Sequence, residues 1–131
     1  AQQAIVLQRM ARDLLLDVEI LVLPIVRDED GVALSSRNVY LSPAERRAAR
    51  AIPLSLEAAE RAVAEGERDP VKVVAAARAV LDAEPGLRVD YLELVETTTL
   101  QPAAKLEGEL LLAVAAFSGK TRLIDNTILR P

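Results

Sequence analysis

Residues 21–41 read Leu-Val-Leu-Pro-Ile-Val-Arg-Asp-Glu-Asp-Gly-Val-Ala-Leu-Ser-Ser-Arg-Asn-Val-Tyr-Leu, and the predicted fold is arranged around this stretch. Residues 18–23 are almost continuously apolar, which predicts a strand covered on both faces, as in a parallel sheet. Pro24 ends that strand, a charged loop follows, and Gly31 makes a turn. A helix then begins at 42–43. The stretch therefore leads the chain from a strand end, through a loop, into a helix.

Two hydroxyls and a guanidinium stand side by side in this loop, at Ser35, Ser36 and Arg37. Serine hydroxyls donate to phosphate oxygens, and the planar fork of arginine can bond two oxygens at once. Open α/β sheets place their ligands at the carboxyl ends of strands, which is where this loop lies. The residues alone leave a second interpretation open, in which the serines form a turn and the arginine is a solvated surface charge.

The composition limits the classes of protein. With 131 residues, the chain can form one ordinary domain, or a small domain with part of another. A net charge of −4 argues against a nucleic-acid surface, which needs a basic patch. No run reaches the ~18 consecutive apolar residues of a membrane span, and there is no secretory signal. The absence of cysteine excludes disulfides and thiol catalysis, and it favours a cytoplasmic protein.

The chain also contains no histidine, which removes the commonest general base and the commonest metal ligand together. A Ser-His-Asp triad and a histidine-containing zinc site are therefore excluded, and no metal site is predicted. The sequence starts at Ala1 and runs directly into a helical pattern, so we expect it to be part of a longer protein.

The first 41 residues are predicted to be the remnant of an α/β domain. Residues 2–16 form an amphipathic helix, with Gln3 at the head of an apolar stripe. This helix and the strand over 18–23 make half of a βαβ unit. Its partner strands are absent from the sequence, and an apolar strand without neighbours favours association.

Residues 42–131 are predicted to be a small α+β domain with two helices and a three-stranded antiparallel sheet. Ser42 and Glu45 can form a capping box, and the first helix should run to about residue 64, kinked at Pro53. Asp69 and Pro70 open a second helix. Alternating or continuous apolar patterns predict the strands, which lie at 89–96, 110–117 and 122–128.

Acidic residues elsewhere do not form a convincing catalytic pair. The run over 28–30 (Asp-Glu-Asp) is most simply a solvated charge cluster in a loop. Strand alternation places Glu93 and Glu96 on opposite faces. Asp125 and Asn126 are predicted to be structural, because these residue types at a strand end usually make turn or backbone hydrogen bonds.

Four sequence segments together resemble the pantothenate synthetases, a family of pantoate–β-alanine ligases. They are Leu-Pro to Tyr-Leu-Ser over 23–42, Gln-Gln at 2–3, Val-Asp-Tyr-Leu-Glu over 89–93, and Thr-Arg-Leu-Ile-Asp-Asn over 121–126. The resemblance covers essentially the whole chain, but only about the second half of a family member. It implies that residues 1–41 end a Rossmann-like nucleotidylyl-transferase domain and that residues 42–131 form a C-terminal lid domain.

The resemblance also implies roles for individual residues. Gln3 corresponds to a glutamine that hydrogen-bonds pantoate, while the backbone around Val26 and Leu34 recognises the adenine edge of ATP. The remaining residues, Ser35, Ser36 and Arg37, match a catalytic phosphate-binding loop related to the KMSKS loop of class I aminoacyl-tRNA synthetases.

The activity implied is a two-step ligation, in a homodimer. Pantoate and ATP, with Mg²⁺, give a pantoyl-adenylate and pyrophosphate, and β-alanine then attacks the adenylate to give pantothenate and AMP. The family's nucleotide-binding histidine motif is absent, so we expect this chain alone to be inactive. Two alternatives remain open: a non-catalytic association module, dimeric through residues 1–24, and the lid of another acyl-adenylate-forming enzyme.

Overall fold

A computed structural model describes residues 1–131, and its eight elements of secondary structure lie mostly after residue 42. The elements are α1 (Gln2–Asp13), the 3₁₀ helix η1 (Ser36–Tyr40), α2 (Pro43–Ala49), α3 (Ala51–Ala64), α4 (Pro70–Asp82), β1 (Leu87–Glu96), β2 (Leu110–Ser118) and β3 (Thr121–Leu129). The strands form one antiparallel sheet in the order β1-β2-β3, so the most apolar strand is central. The predicted α+β unit with a three-stranded sheet is confirmed.

One face of the sheet is covered by α3 and α4, and the core lies between them. Its members are Leu, Val, Ile and Ala only, as the scarcity of aromatic residues requires. Leu56 of α3, Leu81 of α4 and Leu112 of β2 are almost fully buried there. Burying a side chain of this size stabilises the fold by about 1.5–3 kcal/mol. These contacts fix the sheet and both helices as one unit.

In strand β1, the positions that face the core change from odd to even numbers along the strand. Leu87 and Val89 face the core at odd positions, whereas Leu92 and Leu94 face it at even positions. A β-bulge between Val89 and Tyr91 inserts the extra residue that makes this change possible. Leu92 and Leu94 therefore face the core in the second half of β1, and the bulge lets Leu87 and Val89 of the first half face the same side.

The helix predicted over residues 42–64 is divided into α2 and α3 at Arg50. Pro53 explains the position of the break, because proline has no N–H to donate and its ring crowds the carbonyl of the residue four positions earlier, Ala49. The predicted capping box at the start of α2 is present. The Ser42 Oγ accepts from the Glu45 N–H at 3.2 Å, and the Glu45 Oε2 accepts from the Ser42 N–H at 2.8 Å.

The predicted strand over residues 18–23 is not formed. A strand exists only as part of a hydrogen-bonded ladder, and no parallel neighbour for this segment is present in the chain. Leu21 and Leu23 remain 74% and 80% exposed. The preceding helix α1 is held by few contacts, one of them from the Gln8 Nε2 to the Ile20 carbonyl at 3.3 Å. None of the helices has the length and apolar character needed to cross a bilayer.

Exposed apolar surface is concentrated before residue 42. All the large hydrophobic side chains that are exposed lie in residues 1–41, except Leu54, Val71 and Ile124. The segment from 42 onward has a closed core, whereas the N-terminal segment presents apolar side chains that nothing in the chain covers.

Candidate phosphate-binding site

Residues 26–34 form a tight reversal of the chain. Arg27 and Ala33 form an antiparallel bridge. Two backbone hydrogen bonds flank this bridge. The Asp28 N–H donates to the Val32 carbonyl at 2.9 Å on one side, and the Leu34 N–H donates to the Val26 carbonyl at 2.8 Å on the other. Gly31 permits the turn because its φ of +84° disfavours side chains with a Cβ. The reversal brings together Val26 and Leu34, the two residues predicted to meet the adenine.

The base of this reversal is anchored to β3 by an ion pair. The Arg27 guanidinium donates to both carboxylate oxygens of Asp125, at 2.6 and 3.1 Å, and also to the Gly31 carbonyl at 3.1 Å. Asp125 is 4% exposed, and its hydrogen bond raises the pKa of Arg27. The predicted structural role of Asp125 agrees with these contacts, which include a bond from the Asn126 N–H at 2.8 Å. The pairing with Arg27 could not be foreseen, since 98 positions separate the two residues.

The tip of the reversal is held by α2. Arg46 donates through Nε and Nη2 to the two oxygens of Asp30, and through Nη2 to Asp28, each at 2.7 Å. These hydrogen bonds from Arg46 hold the pKa of Asp30 below its ordinary value, and they raise the pKa of Arg46. The prediction that residues 28–30 are simply solvated is therefore wrong for Asp28 and Asp30. Their partner lies on a helix that the sequence pattern did not connect to this loop.

The predicted phosphate-binding residues lie on η1 and the residue before it. The Ser35 Oγ caps η1 by accepting from the Arg37 N–H at 3.2 Å, and the Asn38 Nδ2 braces the turn by donating to the Ala33 carbonyl at 3.1 Å. Ser35, Ser36 and Arg37 are all exposed. Because Ser35 uses its oxygen as an acceptor in the cap, its O–H hydrogen stays available to a ligand oxygen.

Ser35 and Arg37, but not Ser36, line a cavity of about 200 Å³ beside the edge of β3. Leu34, Pro53 and Arg122 are also among the residues that line it. Arg37 makes one long contact, from Nη1 to the Arg122 carbonyl at 3.4 Å, and otherwise faces solvent. Pro53 thus has a second effect besides breaking a helix, since it forms part of the wall of this cavity.

The second arginine at the cavity, Arg122, is bound to a carboxylate. Arg122 donates from Nε and Nη2 to Asp90 at 3.0 and 2.8 Å, and its guanidinium lies 5.7 Å from the centre of the Tyr91 ring. Asp90 is the residue that the β1 bulge leaves out of register. Arg37 is therefore the arginine at this cavity whose guanidinium is free of carboxylates.

Gln3, the predicted pantoate ligand, lies apart from this group. It is exposed on α1, makes no hydrogen bond with the loop and does not line the cavity. Helix α1 is joined to the loop by the segment 14–26, which has no regular structure, and it contacts the rest of the chain through Arg9, whose Nη1 donates to the Thr98 carbonyl at 3.2 Å. The structure thus assembles Val26, Leu34 and residues 35–37, but not Gln3.

No cluster of three or more His, Cys, Asp or Glu side chains suitable for a metal ion is present.

A family model described as Pantoate-beta-alanine ligase matches residues 1–128. The pantothenate synthetase of Thermotoga neapolitana is 51% identical over 129 residues, which cover 98% of this chain and 46% of that protein. The corresponding protein of Anaeromyxobacter dehalogenans is 54% identical over 125 residues, covering 95% and 43%.

Solved structures agree with the sequence comparison. The crystal structure of pantothenate synthetase from Thermus thermophilus superposes with a TM-score of 0.89 at 40% identity, covering 98% of this chain and 46% of that one. A pantoate-beta-alanine ligase from Francisella tularensis, complexed with Beta-gamma ATP and beta-alanine, has a TM-score of 0.55 at 23% identity and shares the fold. It is covered over 39% of its length, against 96% of this chain. The chain spans just under half the length of the relatives it matches.

Proposed function

We propose, since this chain belongs to the pantoate-beta-alanine ligase family, that it supplies the phosphate-binding loop and the C-terminal part of an ATP-dependent ligase. That enzyme would condense pantoate with β-alanine through a pantoyl-adenylate, giving pantothenate, AMP and pyrophosphate. The chain alone is expected to be inactive, because it contains no histidine for the family's nucleotide-binding motif.

The observation that carries this proposal is the contrast between Arg27 and Arg37. Arg27 lies in the reversal over residues 26–34 and Arg37 lies on η1, which follows it. The Arg27 guanidinium binds Asp125 and the Gly31 carbonyl. Arg37 is exposed and has no carboxylate partner. An arginine held without a carboxylate, next to two exposed serine hydroxyls, suits a phosphate group, which accepts several charge-assisted hydrogen bonds.

In the first step, a carboxylate oxygen of pantoate would attack the α-phosphorus of ATP, and the bond to pyrophosphate would break. Negative charge increases on the α-phosphate oxygens and on the leaving group. Donors from Ser35, Ser36 and Arg37, fixed in advance, would stabilise that charge more in the transition state than in the ground state. No protein nucleophile is needed, so catalysis rests on position and electrostatics.

In the second step, the amine of β-alanine would attack the acyl carbon of the adenylate, forming the amide bond and releasing AMP. The same donors would continue to hold the phosphate of AMP as it becomes the leaving group. Adenine recognition would use backbone groups beside the loop. The Val26 carbonyl is occupied by Leu34, which leaves the Val26 N–H and the Leu34 carbonyl for the purine.

The loop is proposed to belong with the C-terminal unit rather than with residues 1–26. Its ion pairs run to Arg46 of α2 and Asp125 of β3, and Val32 is part of the core. The exposed apolar side chains of residues 1–41 would be covered by the part of the enzyme that the relatives have in addition. Gln3 would reach pantoate at that junction, and a cytoplasmic homodimer is the expected assembly.

A hybrid enzyme tests this function. The chain would replace the matching 46% of the Thermotoga neapolitana protein, and pantoate-dependent exchange of pyrophosphate into ATP would be measured. We expect Arg37→Ala to reduce the rate about 10²–10³-fold, the usual cost of losing one transition-state donor. Arg78→Ala is the matched control, because Arg78 is an exposed arginine on α4. The proposed function is wrong if the unaltered hybrid shows no pantoate-dependent exchange of pyrophosphate into ATP. It is also wrong if the Arg37→Ala and Arg78→Ala variants catalyse that exchange at the same rate.

A further inference from the structure

We propose that Asp125 is a positioning residue that acts through Arg27 to hold the loop from Ser35 to Arg37 in the geometry that binds phosphate. This inference rests on the proposed function and assigns a part in it to a buried residue that touches no substrate. The group consists of Asp125 on β3, Arg27 at the base of the reversal and the Gly31 carbonyl at its turn.

The burial of Asp125 is the first argument. Its side chain is 1% exposed, while that of Arg27 is 33% exposed. A carboxylate removed from water loses its hydration, and the attraction of a well-aligned partner roughly offsets that loss. Replacing such a pair by apolar residues of similar volume often leaves stability unchanged or increases it. Stability alone therefore gives little reason for an ion pair at this position.

The geometry supplies the second argument. Arg27 makes two parallel hydrogen bonds to one carboxylate, which fixes the plane of the guanidinium as well as its distance. Its third bond, to the Gly31 carbonyl, ties the turn to the same group. The reversal is thus fixed against the edge of β3 at two points. An apolar contact would permit the loop to slide along the strand.

The position of the reversal is passed to η1 by short contacts. The Leu34 N–H donates a hydrogen bond to the Val26 carbonyl, and the Asn38 Nδ2 donates one to the Ala33 carbonyl. Residues 35–37 are therefore held between two points of the reversal. Arg37 then meets the Arg122 carbonyl on the same strand that carries Asp125. Release of Arg27 from Asp125 would leave this connected segment hydrogen-bonded to β3 through the long contact from Arg37 to the Arg122 carbonyl.

The decisive variant exchanges both partners for apolar residues, as Arg27→Met with Asp125→Leu. In the 131-residue chain, we expect a thermal midpoint near that of the parent. We also expect amide hydrogen exchange at Asp28 and Leu34 to be about tenfold faster or more, the effect of losing a charge-assisted hydrogen bond. Amides in the middle of β2 serve as the internal reference, and Asp82→Asn, which removes an exposed partner of Arg78, is the control. Unchanged exchange at both loop amides would overturn the inference.

The hybrid enzyme gives the second measurement. We expect the double variant to lose at least about tenfold in kcat, with little change in the KM for pantoate, because the acid is not bound by this loop. Normal kcat in the double variant would show that the ion pair is only structural. If the double variant unfolds, Asp125→Asn is measured below its midpoint by the same criteria. A parent hybrid without activity would count against the proposed function. Amide hydrogen exchange in the 131-residue chain would still decide the role of Asp125.

Discussion

Replacing Arg46 with methionine is the sharpest test of how the loop is attached to the C-terminal unit. Arg46 makes three hydrogen bonds of 2.7 Å to Asp28 and Asp30, and its side chain is 26% exposed. Methionine retains much of the aliphatic stem and removes only the charged fork. The variant therefore separates the ion pairs from the packing of α2.

The expected loss is about 2 kcal/mol of unfolding free energy. A hydrogen bond between charged groups contributes roughly 1.5–3 kcal/mol when it is shielded, and an exposed ion pair contributes ~0.2–1 kcal/mol. Both carboxylates are partly exposed, so about 1 kcal/mol for each is the reasonable value. For a chain of this length, 1 kcal/mol lowers the midpoint by roughly 3–5 °C, which predicts a decrease of about 6–10 °C.

Thermal unfolding of Arg46→Met and Arg47→Met, at neutral and acid pH, is the measurement. Arg47 is the adjacent arginine on α2 and makes no ion pair, so its replacement should change the midpoint little. Arg46 holds the pKa of Asp30 below its value in the unfolded chain. The stabilisation is therefore fully present above the unfolded pKa and is lost as the pH falls through the folded one. Equal midpoints for the two variants at neutral pH, or a difference that persists in acid, would refute this reasoning.

Two further predictions concern the start of α2 and the turn beside it. Ser42→Ala should lower the unfolding free energy by about 1 kcal/mol in urea titration, because it removes one half of the capping box; Ser36→Ala, on exposed η1, should cost much less. Gly119→Ala should be destabilising by roughly 1–2 kcal/mol, since φ is +58° and the new Cβ would collide with the Glu45 carboxylate. A Gly119→Ala variant with the parent midpoint would contradict that geometry, whereas Gly66→Ala, with open space around it, isolates the φ contribution.

The elements after residue 42 could be predicted because each depends on local chemistry. A serine followed three positions later by a glutamate sets the start of α2, and proline fixes where that helix is interrupted. The apolar run over 110–117 and the glycine turn at 119 determine a central strand and its hairpin partner. The sequence also contains a pattern that indicates the bulge in β1. The apolar residues that face the core change from odd to even positions, as Leu87 and Leu94 illustrate.

The predicted strand over 18–23 shows the opposite case. Its apolar pattern is real, but a strand requires neighbours, and pattern alone cannot supply them. The result is exposed apolar surface at Leu21 and Leu23 rather than a ladder. Gln3 illustrates the same limit, because its residue type and spacing did not show that it would lie on α1 away from the cavity.

The sequence by itself determined the α+β unit, the adjacency of Ser35, Ser36 and Arg37, and the family to which they point, because residue type and short-range spacing carry all three. The tertiary structure alone decided that, of the two arginines in residues 26–40, Arg37 is the one without a carboxylate partner. Arg27 and Arg46 are bound by Asp125 and by the acidic loop, whereas Arg37 meets only a carbonyl oxygen. Charge pairing depends on distance in space, and residues 27 and 125 become neighbours only when β3 folds back beside the loop.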